Sequence, residues 1–167
     1  EPLENTAFKL NEKGLKTDLF KDYFKPKSLL SNIKSTAAQL YTVAAIYRHE
    51  NGFDECFLLN EAKEITEAIS SNVFLIEGNK LITPPLSSGC LKGVVRKNIL
   101  ALAPKIGFEV VEEAFSPFRL QKVDEVFLTN TIKGIQWVGQ YRKKEFGNTK
   151  TQKILQRLNT EVALNSN

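Results

Sequence analysis

The sequence predicts an α+β fold, and three features of its patterning lead to that prediction. Apolar residues repeat with helical spacing in a few separated segments, whereas much of the chain between them shows the short apolar runs typical of strands. The strand-like segments do not alternate regularly with the helical ones, so a doubly wound parallel sheet is not expected. No internal repeat is visible, and 167 residues fit one domain, or one domain plus part of a neighbour.

The first long element is predicted to be a helix that begins near Ser31 and runs to about His49. A serine suits the N-cap position, and Asn51 followed by Gly52 suits the helix end, because glycine can adopt the left-handed conformation there. Residues 1–28 are charged and irregular, and they are interpreted as a linker with one short strand or turn near residues 7–10. The core face of the helix is expected to carry Leu40, Val43, Ala44 and Tyr47.

Short strands dominate the rest of the chain. A hairpin is expected around Gly78 and Asn79, since both residues favour tight turns between strands. Gly93 is predicted to open a helix, Ser116 and Pro117 a short one, and a final helix is expected at about 149–159. The predicted strands are 55–60, 65–67, 73–76, 80–83, 109–113, 125–129 and 136–138.

Composition and charge exclude several classes of function. The net charge is +4, but the basic residues are spread along the chain, so a nucleic-acid interface is not expected. No run approaches the ~18 apolar residues of a membrane span. Cys56 and Cys90 have no ligand neighbours at metal-binding spacing, and His49, the only histidine, is expected at an exposed helix end. The lack of a disulfide framework favours the cytoplasm.

Lys34 and Glu67 are the side chains whose surroundings suggest chemistry. Lys34 follows Leu29, Leu30 and Ile33, and apolar surroundings disfavour an ammonium, leaving the neutral amine that Schiff-base formation requires. Glu67 ends an apolar strand and is followed by small residues that leave room for a flat ring. Taken singly, an inert surface lysine and a solvent-exposed glutamate are the simpler interpretations.

Two further segments suggest an anion site. Free backbone amides at the start of the helix after Gly93, those of Val94 and Val95, can bind a phosphate. Thr129, Asn130 and Thr131 directly follow a predicted strand, and their polar groups could complete a phosphate cup. An ordinary helix start and an ordinary strand exit remain the alternative interpretations of these segments.

The order and the types of these four segments resemble the class IV aminotransferase family, the fold type IV pyridoxal-phosphate enzymes. The resemblance covers roughly residues 29–138, and its most specific parts are 67–74 and 83–96. It implies a mixed sheet or pseudo-barrel with flanking helices. Residues 29–167 would then form the carboxyl-terminal cofactor domain and residues 1–28 the interdomain linker, with the amino-terminal domain outside this chain. An isolated chain that is inactive without that domain is one outcome that the resemblance implies.

The resemblance also implies a role for each candidate residue. With pyridoxal 5'-phosphate as the cofactor, Lys34 is similar to the lysine that forms the Schiff base and acts as general acid and base. Glu67 is similar to the partner of the pyridine nitrogen. The amides of Val94 and Val95 and the hydroxyl of Thr131 are similar to the phosphate ligands, and Asn130 lies beside them.

The implied activity is an aminotransferase reaction between an amino acid and a 2-oxo acid, catalysed by a homodimer. Gln39 stands where branched-chain members carry tyrosine, Ala68 stands where they usually carry glycine, and residues 129–135 are closer to the lyase branch. An aminodeoxychorismate lyase, which releases pyruvate and forms 4-aminobenzoate, is therefore an alternative. A non-catalytic family member, or an unrelated α+β binding module, also remains open.

Overall fold

The architecture is described for residues 7–164 in a computed structural model of the 167-residue chain. The outermost parts of the predicted linker and of the predicted cofactor domain, residues 1–6 and 165–167, lie outside the described residues. The helices are α1 (Gln39–Glu50), α2 (Val94–Leu102) and α3 (Thr149–Leu164). The strands are β1 (Leu15–Lys25), β2 (Glu55–Asn60), β3 (Ile65–Ala68), β4 (Asn72–Glu77), β5 (Lys80–Thr83), β6 (Glu109–Glu112), β7 (Glu125–Asn130), β8 (Gly134–Tyr141) and β9 (Lys144–Glu145).

The described strands form one mixed sheet in the order β3-β2-β1-β8-β7-β4-β5-β6, with β9 paired to β8. β1 is parallel to both of its neighbours, β2 and β8, and β5 is parallel to β6, whereas the remaining pairs are antiparallel. Helices flank this sheet, so the predicted α+β class is confirmed, as is the mixed sheet with flanking helices.

Burial of apolar side chains explains which helices pack on which strands. In α1, Ala44 is buried against Phe20 of β1 and Leu58 of β2. In α2 and α3, Ile99 and Ile154 belong to a second cluster that also contains Phe74 and Phe127 from β4 and β7. The opposite face packs in a further cluster that includes Phe57, Ile65 and Val73, so β2 and β3 are buried along their whole length and β4 along nearly all of it.

The prediction for the first helix is wrong at its start. Residues Leu29–Asn32 form one turn of 3-10 helix, and α1 begins only at Gln39. The side chain of Asn32 donates to the carbonyl oxygens of Leu86 (2.9 Å) and Cys90 (2.7 Å). These contacts hold the segment before α1 against a distant loop, so Lys34 lies in a connection and not in a helix.

The largest error concerns residues 15–25, which were interpreted as part of an irregular linker. They form β1, a strand in the interior of the sheet. The expected strand or turn near residues 7–10 is not a strand, and Phe8 instead exchanges two backbone hydrogen bonds of 2.9 Å with the Asn159 side chain of α3. Five charged residues among the eleven of β1 concealed the strand, because they suggest an exposed segment.

Gly139 of β8 packs directly against the backbone of Gly14. A Cβ atom at Gly139 would lie 2.8 Å from the Gly14 Cα and 3.1 Å from its carbonyl carbon, and neither atom can rotate away. We expect Gly139→Ala to lower the free energy of unfolding by about 2 kcal/mol in denaturant titrations. Gly147→Ala is the control, because its Cβ would meet only Glu125 atoms at 4.0 Å. Equal stability of the two variants would contradict this close approach.

Candidate functional site

Glu67 is the buried carboxylate around which the candidate site is built. It lies in β3 with 2% of its surface exposed, so the alternative of a solvent-exposed strand-end glutamate is wrong. Its Oε1 accepts from the Lys25 ammonium and from the Tyr41 hydroxyl (2.7 Å), and its Oε2 accepts from the Leu91 amide (2.6 Å). These contacts provide the partners that a buried charge requires.

The loop of residues 84–93 connects the parts of the site. Its Leu91 donates to Glu67, and the Leu91 carbonyl accepts from the Asn72 side chain at 2.8 Å. On the other side of the loop, Arg96 donates to the Pro84 carbonyl at 2.9 Å and pairs with Glu112. Asn32 adds the contacts described above. The 84–93 loop is therefore held by side chains from β4, α2 and the segment that precedes Lys34.

The start of α2 follows this loop, as the sequence predicted. Gly93 is the N-cap residue, and no side chain caps the helix, so the first-turn amides of Val94 and Val95 have no side-chain acceptor. A Cβ atom at Gly93 would collide with Asn72 Oδ1 and would lie 3.3 Å from Asn72 Cγ. Glycine at this position lets the helix start lie close to β4.

The end of β7 lies beside the same helix start. Thr129 is paired with Asn72 across β4 and β7, and the hydroxyl of Thr129 is buried without a hydrogen-bond partner. Asn130 donates to the Ser71 hydroxyl at 3.0 Å, and Thr131, the next residue, is exposed. An unpartnered buried hydroxyl next to an uncapped helix start fits an anionic oxygen ligand such as a phosphate.

Within residues 7–164, Lys34 makes no hydrogen bond or ion pair with the other candidate residues. It is exposed, as are Leu29, Leu30 and Ile33, of which 86%, 77% and 62% of the surface is accessible. The expectation that these apolar neighbours shelter Lys34 is therefore wrong for residues 7–164. Lys34 is nevertheless connected to the site, because Asn32, two residues earlier, binds the 84–93 loop.

Sequence reasoning missed several residues of the cluster. Lys25 falls in the segment predicted to be an irregular linker, yet it ends β1 and only 4% of its surface is exposed. Asn72 was not among the predicted site residues, and Thr129 was predicted only as part of a phosphate cup. The alternation of Leu15, Thr17 and Leu19 was a signal for β1, and recognising it would have directed attention to the lysine at its end.

Tyr41 contributes a neutral donor to Glu67. Burial raises the pKa of its hydroxyl well above the usual range, and the charge of Glu67 adds to this effect. The hydroxyl consequently keeps its proton throughout the neutral and mildly alkaline range. In branched-chain members of the resembled family, a tyrosine stands at the position of Gln39. Tyr41 lies two positions after that residue.

The two thiols are structural. Burial raises the pKa of Cys56 to about 12 and that of Cys90 to about 11. Both cysteines are free and buried.

The described residues contain no cluster of three or more histidine, cysteine, aspartate or glutamate side chains suited to a metal ion. In residues 7–164, no helix combines the length and apolar character that crossing a bilayer requires.

We expect neither thiol to react quickly with Ellman's reagent at pH 8 in the folded protein, because the thiolate is the reactive form. Both should react at once in guanidinium chloride, and peptide mapping identifies each site. Below pH ~8.5, the pKa of an unfolded thiol, both states keep the thiol protons and the free energy of unfolding keeps its full value. As the pH rises towards 11–12, the unfolded thiols lose their protons before the folded ones, so the free energy of unfolding falls. Rapid labelling of the folded protein would contradict this assignment.

Comparison with known proteins places this geometry in a family. The sequence profile described as amino-transferase class IV matches residues 6–141. A relative from Methanocaldococcus jannaschii, provisionally named a branched-chain-amino-acid aminotransferase, is 33% identical over 116 residues, which are 70% of this chain and 40% of the relative.

Two solved structures share the fold. One from Legionella pneumophila, provisionally named a 4-amino-4-deoxychorismate lyase, has a TM-score of 0.84 and 25% identity, and covers 92% of this chain and 58% of its own. The other is the PLP-form of a branched-chain amino acid aminotransferase from Thermobaculum terrenum, with a TM-score of 0.82 and 25% identity, covering 90% of this chain and 51% of its own.

The chain spans 40% of the curated relative and little more than half of each solved structure. The family profile, in contrast, covers most of this chain, from residue 6 to residue 141, and includes every candidate residue discussed above. The chain belongs to the class IV aminotransferase family.

Proposed function

We propose that this chain carries the cofactor site of a pyridoxal-phosphate-dependent aminotransferase, which moves an amino group between an amino acid and a 2-oxo acid. The observation that carries the proposal is the juxtaposition of buried Glu67 with the uncapped start of α2 through the 84–93 loop. The 84–93 loop thus joins a carboxylate suited to a ring nitrogen, that of Glu67, to backbone amides suited to a phosphate, those at the start of α2. The family membership and the branched-chain relatives support the same reaction class.

Each residue has a defined task in this proposal. When bound, pyridoxal phosphate supplies an aldehyde for amines and a ring that accepts electrons from the substrate α-carbon. Glu67 would accept a hydrogen bond from the ring nitrogen, and the amides of Val94 and Val95 would hold the phosphate, with Asn130 and Thr131 beside it. The Lys34 amine would hold the cofactor and would carry the α-proton of the substrate as general acid and base.

Trapping of the cofactor tests this proposal directly. The protein is incubated with pyridoxal 5'-phosphate, reduced with borohydride and mapped by peptide mass spectrometry. We expect one phosphopyridoxyl group on Lys34 and none on Lys25, whose ammonium is buried in its pair with Glu67. An adduct on Lys25 alone, or no adduct at any cofactor concentration, would rule out the assigned role of Lys34.

The lyase is a second candidate, supported by the Legionella pneumophila structure and by the similarity of residues 129–135 to that branch. The two reactions differ in their products. Amino acid and 2-oxo acid pairs yield a new amino acid in a transaminase, whereas aminodeoxychorismate yields pyruvate and 4-aminobenzoate in a lyase. Because the curated relatives carry branched-chain names, we expect transamination of a branched-chain amino acid and no pyruvate release from aminodeoxychorismate.

A partner surface belongs to the same proposal. Leu29, Leu30 and Ile33 are exposed beside Lys34, and Val43 and Ile46 of α1 are about half exposed. Covering these residues would remove water from the neighbourhood of the Lys34 amine. We propose that a homodimer provides this cover, which size-exclusion chromatography with light scattering can test.

The cytoplasm is the proposed location, because both described thiols are unpaired.

A further inference from the structure

We propose that Lys25 and Tyr41 are positioning residues for Glu67, which occupy both acceptor positions of Oε1 and leave Oε2 to meet the ring nitrogen of the cofactor. This inference rests on the proposed function and assigns roles to two residues outside the predicted set. It follows from the number and the direction of the donors that surround one buried carboxylate.

The hydrogen bonds of Glu67 account for three of its acceptor positions. A carboxylate offers about four lone-pair positions, two on each oxygen. Oε1 receives the Lys25 ammonium and the Tyr41 hydroxyl, whereas Oε2 receives only the Leu91 amide. One position therefore remains, and it is on Oε2. A protonated ring nitrogen carries a single N–H donor and would fill that position.

Lys25 is suited to a fixed position. It is the last residue of β1, it is buried, and its ammonium lies 5.4 Å from the centre of the Tyr41 ring. An ammonium in such a place needs an opposite charge, and Glu67 is the carboxylate it contacts. The pair therefore fixes both side chains, and the Glu67 carboxylate cannot rotate away without leaving the Lys25 charge unpaired.

Tyr41 also orients Oε1 of Glu67, by a hydrogen bond from α1. It belongs to α1, so Glu67 is held by donors from β1, α1 and the 84–93 loop. Because the Tyr41 hydroxyl keeps its proton, it acts only as a donor to the carboxylate. Loss of either Lys25 or Tyr41 would free an acceptor position on Oε1 and loosen the orientation of Oε2.

The test measures the affinity for pyridoxal 5'-phosphate of the full protein and of its variants by absorbance and fluorescence titration. We expect Lys25→Met to weaken binding at least tenfold and Tyr41→Phe about threefold, because charge-assisted hydrogen bonds are stronger than neutral ones. Lys25→Arg, which keeps the charge, should recover most of the affinity. Lys27→Met is the control, since the Lys27 ammonium makes only a partly exposed pair with Glu64.

A double-mutant cycle shows whether Lys25 acts through Glu67. In a Glu67→Gln background, Lys25→Met should change the affinity less than twofold, because the carboxylate that it positions is gone. Circular dichroism and thermal midpoints identify any variant that has unfolded, and Tyr41→Phe, which removes one hydroxyl, keeps the test decisive if Lys25→Met does not fold.

The possible failures can be told apart. A wild-type protein that does not bind the cofactor would overturn the proposed function, and this inference with it. Wild-type binding with unchanged affinity in both Lys25→Met and Tyr41→Phe would overturn the inference alone. An equal loss on replacing Lys25 in the presence and in the absence of the Glu67 carboxylate would also overturn it, since Lys25 would then act independently of Glu67.

Discussion

Under the proposed function, replacing Lys34 by alanine is expected to abolish transamination while leaving the fold intact. The amine is assigned both cofactor attachment and proton transfer at the α-carbon, and general acid–base catalysis alone contributes about a hundredfold to ten-thousandfold. A loss of at least about ten-thousandfold in kcat/KM should follow. Because Lys34 is exposed, its removal should change the free energy of unfolding by less than about 0.5 kcal/mol.

Steady-state kinetics and denaturant titrations on the same preparations measure these two effects. Lys153→Ala is the matched control, because Lys153 is an exposed lysine on α3 and is not a candidate site residue. It should retain both activity and stability. A Lys34→Ala enzyme that stays active would remove Lys34 from the reaction, and a strongly destabilised one would show that Lys34 has a structural contact.

Glu67→Gln is expected to have the largest effect on stability. The substitution removes a charge but keeps the size of the side chain, so the buried Lys25 ammonium loses its opposite charge. Removing one partner of a buried ion pair costs about 3–5 kcal/mol, and we expect about 3 kcal/mol here because the amide oxygen can still accept a hydrogen bond. Denaturant unfolding of the cofactor-free protein measures this cost.

Two variants make this measurement specific. Glu64→Gln breaks a pair with Lys27 that is partly exposed, and should cost less than about 1 kcal/mol. Lys25→Met combined with Glu67→Gln removes both charges and should recover most of the lost stability. If Glu67→Gln and Glu64→Gln were equally stable, the buried pair between β1 and β3 would not exist in solution.

The sequence was most informative where local chemistry is strong. The hairpin around Gly78, the helix after Gly93 and the strand predicted over 125–129, which extends one residue further to Asn130, are all present in the structure. Glycine and proline act on the backbone of their own segment, so their effect can be recognised without knowledge of distant contacts. The first helix was extended too far for the opposite reason, since Asn32 binds carbonyls of a loop more than fifty residues away.

The candidate site also has features that the sequence predicted and features that depend on distant contacts. The residue types and their order were sufficient to predict the family, and the profile match over residues 6–141 confirms that prediction. The roles of Lys34, Glu67, Val94, Val95, Asn130 and Thr131 remain predictions. The alternation in residues 15–19 could have indicated β1, but the pairing of Lys25 with Glu67 could not be predicted, because a lysine at a strand end becomes notable only when folding buries it.

Sequence order and local preference thus determined the family and most secondary-structure elements of this chain. Only the tertiary structure decided that β1 lies inside the sheet, that Lys25 faces Glu67, and that Lys34 is exposed. The physical reason is that burial and charge pairing depend on which segments meet across the sheet. The meeting of β1, β3 and α1 at Glu67 joins residues 25, 67 and 41, which no local pattern connects.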